Sequence, residues 1–186
     1  TIVAHLLKNG DHILTCDDLY GGTFRLFDKV IQQNGIEISY VDMTTPENCS
    51  AAIRPNTRLI WLETPTNPML KLIDIAAITK IARKKGIIVA VDNTFMSPYL
   101  QRPLELGAHL VVHSTTKFIN GHSDIVGGAV VTDTPEIAEK IAFLSNSMGA
   151  IASPFDSFLC LRSLKTLPLR MKAHEENGRA VANYLE

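Results

Sequence analysis

Along the chain, short runs of β-branched and other apolar residues alternate with stretches whose apolar positions recur at helical spacing. His12–Cys16 and residues 36–41, 59–62, 87–91, 110–113 and 129–132 read as strands. Between them, residues 21–33 read as a helix stopped by Asn34-Gly35, and Pro46–Ala52 as a short helix opened by proline. Residues 74–85 form a third helical pattern, with Asp74 at its start, Lys84-Lys85 at its end and Gly86 beyond. Residues 135–147 and 168–186 complete the helical set, and residues 1–8 read as the last turns of a helix stopped by Asn9-Gly10. The run 87–91 is almost wholly apolar, which suits a strand covered on both faces. Strands alternating with helices of this length predict an α/β fold with a largely parallel sheet.

Composition narrows the function classes. The chain has 186 residues, about one domain's worth, and 46% of them are hydrophobic, a normal globular content. Eighteen basic against nineteen acidic residues give a net charge of −1, which removes the electrostatic footprint of a nucleic-acid or anionic-membrane binder. No apolar run approaches the roughly 18 residues needed to cross a bilayer. Three cysteines, at 16, 49 and 160, cannot pair completely, so a reducing compartment is expected and a cytoplasmic location with it. The six histidines lack metal-ligand spacing, and no metal is expected. The helical patterns running up to both ends are read as those of a piece of a longer protein, so the start carries no information about targeting.

In open parallel sheets, ligands bind beyond the carboxyl ends of the strands. The segments after four of the strands are DDLYGG (17–22), ETPTNP (63–68), DNTF (92–95) and HSTTKFINGHSD (113–124). They place a Tyr, an Asn, an Asp and a Lys, flanked by hydroxyls, on one edge. Each has an ordinary explanation by itself. Tyr20 could be a half-buried packing residue, Asp92 an N-cap or Asx-turn, Asn67 a turn former between prolines, and Lys117 a solvated surface lysine. Ser114 and Thr116 could cap backbone groups, and Gly21-Gly22 could simply make a turn.

Together they match what a pyridoxal phosphate site requires. That cofactor needs a lysine amine for a Schiff base and a carboxylate to keep the pyridinium nitrogen protonated, so that the ring acts as an electron sink. A flat aromatic should cover the ring, and hydroxyl and amide groups should take the phosphate. A nicotinamide-dependent oxidoreductase would share the α/β pattern, but should show Gly-x-Gly-x-x-Gly after the first strand, where this chain has one glycine pair.

At these same loops the sequence resembles the cystathionine γ-lyase and γ-synthase family of cysteine/methionine metabolism, which are fold-type-I pyridoxal phosphate enzymes. The similarity is strongest at DDLYGGTFRLF (17–27), ETPTNP (63–68), VDNTFMSPYLQRPLELGA (91–108) and STTKFINGHSDIVGG (114–128), and SPFDSFLCLRSLKTL (153–167) also fits. The resemblance implies a three-layer α/β/α architecture with a mostly parallel central sheet. Residues 1–167 would be the core of the cofactor-binding large domain without its N-terminal part, and 168–186 a helix leading to a C-terminal domain outside this chain.

It further implies that Lys117 forms the Schiff base and moves protons, that Asp92 pairs with the pyridinium nitrogen, and that Tyr20 stacks on the ring and aids proton transfer. Thr94 would pack on the opposite face, Ser114 and Thr116 would hold the phosphate, and Asn67 would contact the ring hydroxyl and the substrate carboxylate. A Gly-Met phosphate turn upstream, a Tyr and an Arg from a neighbouring subunit, and a carboxylate-binding Arg downstream belong to the family pattern but lie outside this chain, so the isolated piece is expected to be poorly active. The implied reaction is γ-elimination on cystathionine-type sulfur amino acids, in a homotetramer built as a dimer of dimers. The alternatives are γ-replacement on an O-acylhomoserine, and, in another class, a cofactor-binding but catalytically incomplete subunit. Sequence features at ETPTNP and NTFMSPYLQRPL lean toward the lyases.

Overall fold

A computed structural model describes residues 2–186. Six strands form one sheet: β1 (His12–Cys16), β2 (Glu37–Val41), β3 (Thr57–Glu63), β4 (Ile88–Asp92), β5 (Leu110–Ser114) and β6 (Gly128–Val131). Their spatial order is β2-β1-β3-β4-β5-β6. All neighbouring pairs are parallel except β5 with β6, which run antiparallel with Val111 opposite Val131. The α/β class with a mostly parallel sheet is therefore as the hydrophobic pattern predicts.

The strands exist because both of their faces find cover. Ile13 and Leu14 are successive residues on opposite faces of β1, and neither is exposed; Leu59 and Ile60 on β3 repeat this. Each such side chain, fully buried, contributes about 1.5–3 kcal/mol. Among the described residues eight α-helices accompany the sheet: α1 (Ile2–Leu6), α2 (Gly21–Leu26), α3 (Pro46–Ala52), α4 (Ile75–Arg83), α5 (Ser97–Leu100), α6 (Pro135–Met148), α7 (Pro154–Leu164) and α8 (Leu167–Leu185). Helix α4 starts where expected, because the Asp74 carboxylate accepts a hydrogen bond from the Ala77 amide at 2.9 Å. It buries Ile75, Ile78 and Ala82 along one stripe.

Local departures from the expected elements have identifiable causes. The helix expected over 21–33 is α-helical only to Leu26; it widens to a π turn at Phe27–Ile31 and tightens to a 3-10 turn at Gln32–Asn34 before Gly35. The widened turn seats Phe27, which is buried and meets Trp61 edge-on at 5.5 Å. Strand β3 extends at both ends beyond its apolar run, because Thr57 is held by the buried His12 ring (2.8 Å to Nδ1) and Glu63 pairs in register with Asp92. Helix α7, left without an element in the sequence pattern, is capped by Ser153, whose Oγ accepts from the Asp156 amide at 3.0 Å. Of the segment 1–8, Ile2–Leu6 is helical, and Thr1 lies outside the described residues.

Candidate active site

Because β1, β3, β4 and β5 are parallel, their carboxyl ends share one edge of the sheet, and the four polar loops all leave from it. The chain passes from β1 outward to β2, then returns to the other side of β1 as β3. The crevice between β1 and β3 is thus a topological switch point, the place where such sheets take ligands. The loops carrying Tyr20 and Asn67 flank it.

Tyr20 ends the β1 loop immediately before α2, and its backbone N–H donates to the Glu63 carboxylate at 3.0 Å. Its ring folds over Gly22: a Cβ built on Gly22 would lie 2.5 Å from Tyr20 Cε1, so only glycine admits the ring there. With 49% of its surface exposed, the tyrosine is half-buried at the sheet edge.

Asp92 is the last residue of β4 and pairs in register with Glu63 on one side and Val112 on the other. Its Oδ1 accepts the Thr94 amide at 3.0 Å, an Asx-type turn that fixes the carboxylate at the strand end. Glu63 is buried beside it. Loss of hydration pushes its carboxyl up to about 7, Asp92 and Asp18 push in the same direction, and the Tyr20 amide only partly offsets them. Near neutrality Glu63 thus holds a proton more readily than an exposed glutamate does.

Thr94 is half-buried, and its Oγ1 accepts the Ser114 amide at 2.8 Å, linking the β4 loop to the end of β5. Ser114 ends β5 and leads into a π turn, Thr115–Ile119, that contains Lys117. The turn is broken at Lys117, whose backbone (φ −93°, ψ −126°) is not helical. Lys117 is exposed, and among the described residues its ammonium has no ion-pair or hydrogen-bond partner. Thr116 is tied differently: its Oγ1 accepts the Gly127 amide at 3.0 Å and lies 3.3 Å from the Gly127 carbonyl. Its hydroxyl proton is therefore directed at the 127 loop. Asn67, half-buried, lies on the β3 loop, which the Asp18 carboxylate holds by accepting from the Thr66 hydroxyl and from the Met69 amide (2.9 Å). Lys71 closes the same loop through an ion pair with Asp17 at 2.7 Å.

This donor set fits a flat, anionic pyridine aldehyde. Carboxyl groups stand at two adjacent strand ends, one aromatic ring is half-buried beside them, one amine among the described residues has no partner, and hydroxyl and amide groups line the same edge. Three neighbouring residues have no role in the sequence pattern. Glu63 belongs to ETPTNP, and a carboxylate closing a buried strand is the signal that marks it. His113 is buried on β5, with Nδ1 unpartnered and burial lowering its pKa; it lines a cavity of about 490 Å3 with Asn93, Thr115 and Cys160. Arg170 on α8 reaches the Lys117 turn from fifty residues away, which no local pattern announces.

The chain matches, over residues 1–186, the family described as Cys/Met metabolism PLP-dependent enzyme. It is 56% identical over 185 residues to a Herpetosiphon aurantiacus protein named "Probable cystathionine gamma-synthase", covering 100% of this chain and 58% of that protein. It is 50% identical over 186 residues to the cystathionine gamma-lyase of Bacillus subtilis (strain 168), covering 100% of this chain and 49% of the other. The crystal structure of cystathionine gamma-lyase from Lactobacillus plantarum complexed with L-serine superposes with a TM-score of 0.97 at 48% identity, covering 99% of this chain and 48% of that one. The chain spans about half the length of the curated relatives it matches.

Proposed function

Since the chain belongs to the Cys/Met metabolism PLP-dependent enzyme family, we propose that the whole protein is a carbon–sulfur lyase that carries out γ-elimination on cystathionine-type sulfur amino acids, with Lys117 as its cofactor lysine. The observation that supports this most is the placing of an unpaired Lys117 on a broken turn directly after β5, with Asp92 closing the neighbouring strand. When bound, pyridoxal phosphate supplies an electron sink that stabilises negative charge developing on substrate carbon.

The side chains divide the remaining work. The Lys117 amine anchors the cofactor and accepts and returns protons at Nζ. The Asp92 carboxylate holds the pyridine nitrogen in its protonated form, and the Asx-type turn through Thr94 keeps that carboxylate aimed. Tyr20 covers one ring face, and its phenol exchanges a proton near the amine. Thr94 packs on the opposite face. Ser114 and Thr116 donate to the phosphate, Thr116 by rotating its hydroxyl away from the Gly127 carbonyl. Asn67 takes the ring hydroxyl and the substrate carboxylate.

The whole protein would act on a small amino acid in the cytoplasm as a homotetramer. Among the described residues no helix is long and apolar enough to cross a membrane. A second reading, γ-replacement on an O-acylhomoserine, is favoured by the similarity to the Herpetosiphon protein. Both readings need the same trapped lysine. Borohydride reduction of the whole protein with pyridoxal phosphate, followed by peptide mass mapping, should give one stable adduct, on Lys117. Lys117→Ala should give none, and scattered labels on the unsubstituted protein would sink the enzyme reading. Keto acid released from cystathionine then supports the lyase, whereas thiol-dependent product without keto acid supports the synthase.

A further inference from the structure

The break at Lys117 leaves the turn short of partners. The Asn120 amide returns to the Thr115 carbonyl (3.0 Å) and the Gly121 amide to the Lys117 carbonyl (2.7 Å), and there the turn ends. The carbonyls of Phe118 and Ile119, the two residues after the lysine, are left without an onward helix to bond them. Arg170, on α8, takes both. Its Nη1 donates to Phe118 O at 2.6 Å and its Nη2 to Ile119 O at 3.3 Å.

The same guanidinium is held in place from behind. Nη2 also donates to Ser163 O at 3.0 Å, and Nε to Thr166 Oγ1 at 3.1 Å, so all three nitrogens are committed. A planar fork with five N–H groups can meet four acceptors at once; an ammonium cannot do so in this geometry. Gly121 has φ +73°, and a Cβ there would lie 2.1 Å from Arg170 Nη1, so the glycine both makes the turn and leaves room for the fork. One helical turn further along α8, the His174 ring lies 5.1 Å from the Phe118 ring, and Phe95 flanks Phe118 at 6.5 Å. Helix α8 therefore grips the residue next to Lys117 by its carbonyl and by its ring.

We propose that Arg170 is the positioning residue for Lys117, fixing the turn so that the lysine amine is delivered to one place at the sheet edge. The inference rests on the reading of Lys117 as the cofactor lysine. Reacting groups must be held within about 0.5 Å, and a misplacement of about 1 Å can cost on the order of 10²-fold in rate. Arg170 touches neither substrate nor cofactor in this role; it acts through the backbone of Phe118 and Ile119.

The test compares Arg170→Met and Arg170→Lys with Met171→Ala in the whole protein. Met171 is buried on the same helix, so its truncation loosens α8 without touching the carbonyls. Arg170→Met should speed hydrogen exchange at the Asn120 and Gly121 amides of the apoprotein. It should also slow reductive trapping of pyridoxal phosphate on Lys117, and lower kcat about 10- to 100-fold with KM changed less than about threefold. Met171→Ala should lower the melting temperature and leave exchange, trapping and kcat near their starting values. Equal effects of the two variants at matched loss of stability would overturn the proposal, leaving Arg170 as an anchor of α8. If Arg170→Met does not fold, Arg170→Lys decides: an intermediate loss of trapping rate is expected, and full trapping and kcat with the lysine would refute the four-acceptor requirement. Absence of any Lys117 adduct on the unsubstituted protein would count against the enzyme reading alone, and the exchange measurement would still decide what Arg170 does to the turn.

Discussion

Glu63→Gln is the perturbation whose size the structure sets most directly. Glu63 closes β3, pairs in register with Asp92, and accepts the Tyr20 amide at 3.0 Å. Its carboxyl is pushed from 4.5 up to about 7, first by burial and then by its acidic neighbours. A folded-state value above the unfolded one means that the native protein keeps a proton which the unfolded chain releases. Stability therefore falls as pH rises from about 4.5 to about 7 and is flat above that window. At about 1.4 kcal/mol per pH unit the ceiling is roughly 3.5 kcal/mol, and relaxation around the ionised carboxylate reduces this to about 1.5 kcal/mol. Glutamine keeps the oxygen that accepts the Tyr20 amide and removes the charge. The variant should match the unsubstituted apoprotein near pH 4.5 and exceed it near pH 8. For a chain of this size the gain is about 3–6 °C in melting temperature, read by thermal unfolding across the pH range. A difference that stays constant from pH 4.5 to 8 would refute the assignment of a proton to Glu63, and a loss of stability at pH 8 would show that the carboxylate itself is needed.

Asp92→Ala should leave pyridoxal phosphate trappable on Lys117 but lower turnover by about 10²–10³-fold, as removal of one preorganised electrostatic partner does; normal steady-state turnover would refute the pyridine-nitrogen assignment. Gly22→Ala places a Cβ 2.5 Å from Tyr20 Cε1 and must displace the ring. Cofactor affinity, measured by fluorescence titration, should weaken about three- to tenfold, the worth of one aromatic stack, and an unchanged Kd would mean that the ring covers nothing. Tyr20→Phe keeps that stack, so the same titration should show little change. Turnover should fall by about 10²-fold if the phenol moves a proton, and an unchanged kcat would leave stacking as the ring's only task.

The parts of this molecule legible in its sequence are those that depend on neighbours a few residues away. The strand at Ile88–Asp92 announces itself because burial on both faces favours a continuous apolar run, and the helix at Ile75–Arg83 because its cap, stripe and glycine stop are local. Once the strands are known to be parallel, the edge carrying Tyr20, Asn67, Asp92 and Lys117 follows from connectivity alone. What periodicity could not supply is the state of each group on that edge. The Thr116 hydroxyl turns toward Gly127 because a loop eleven residues on returns to it. Glu63 holds its carboxyl near 7 because the fold buries it, and Asp92, set beside it by the register of β3 and β4, pushes the same way. The turn carrying Lys117 breaks its helix, and Arg170 takes the carbonyls that the break leaves. An α-helix continued through Lys117 would bond those carbonyls to its own following amides and leave a guanidinium nothing to grip. The irregular turn is thus what connects Lys117 to α8, through contacts that span 52 and 51 residues of sequence.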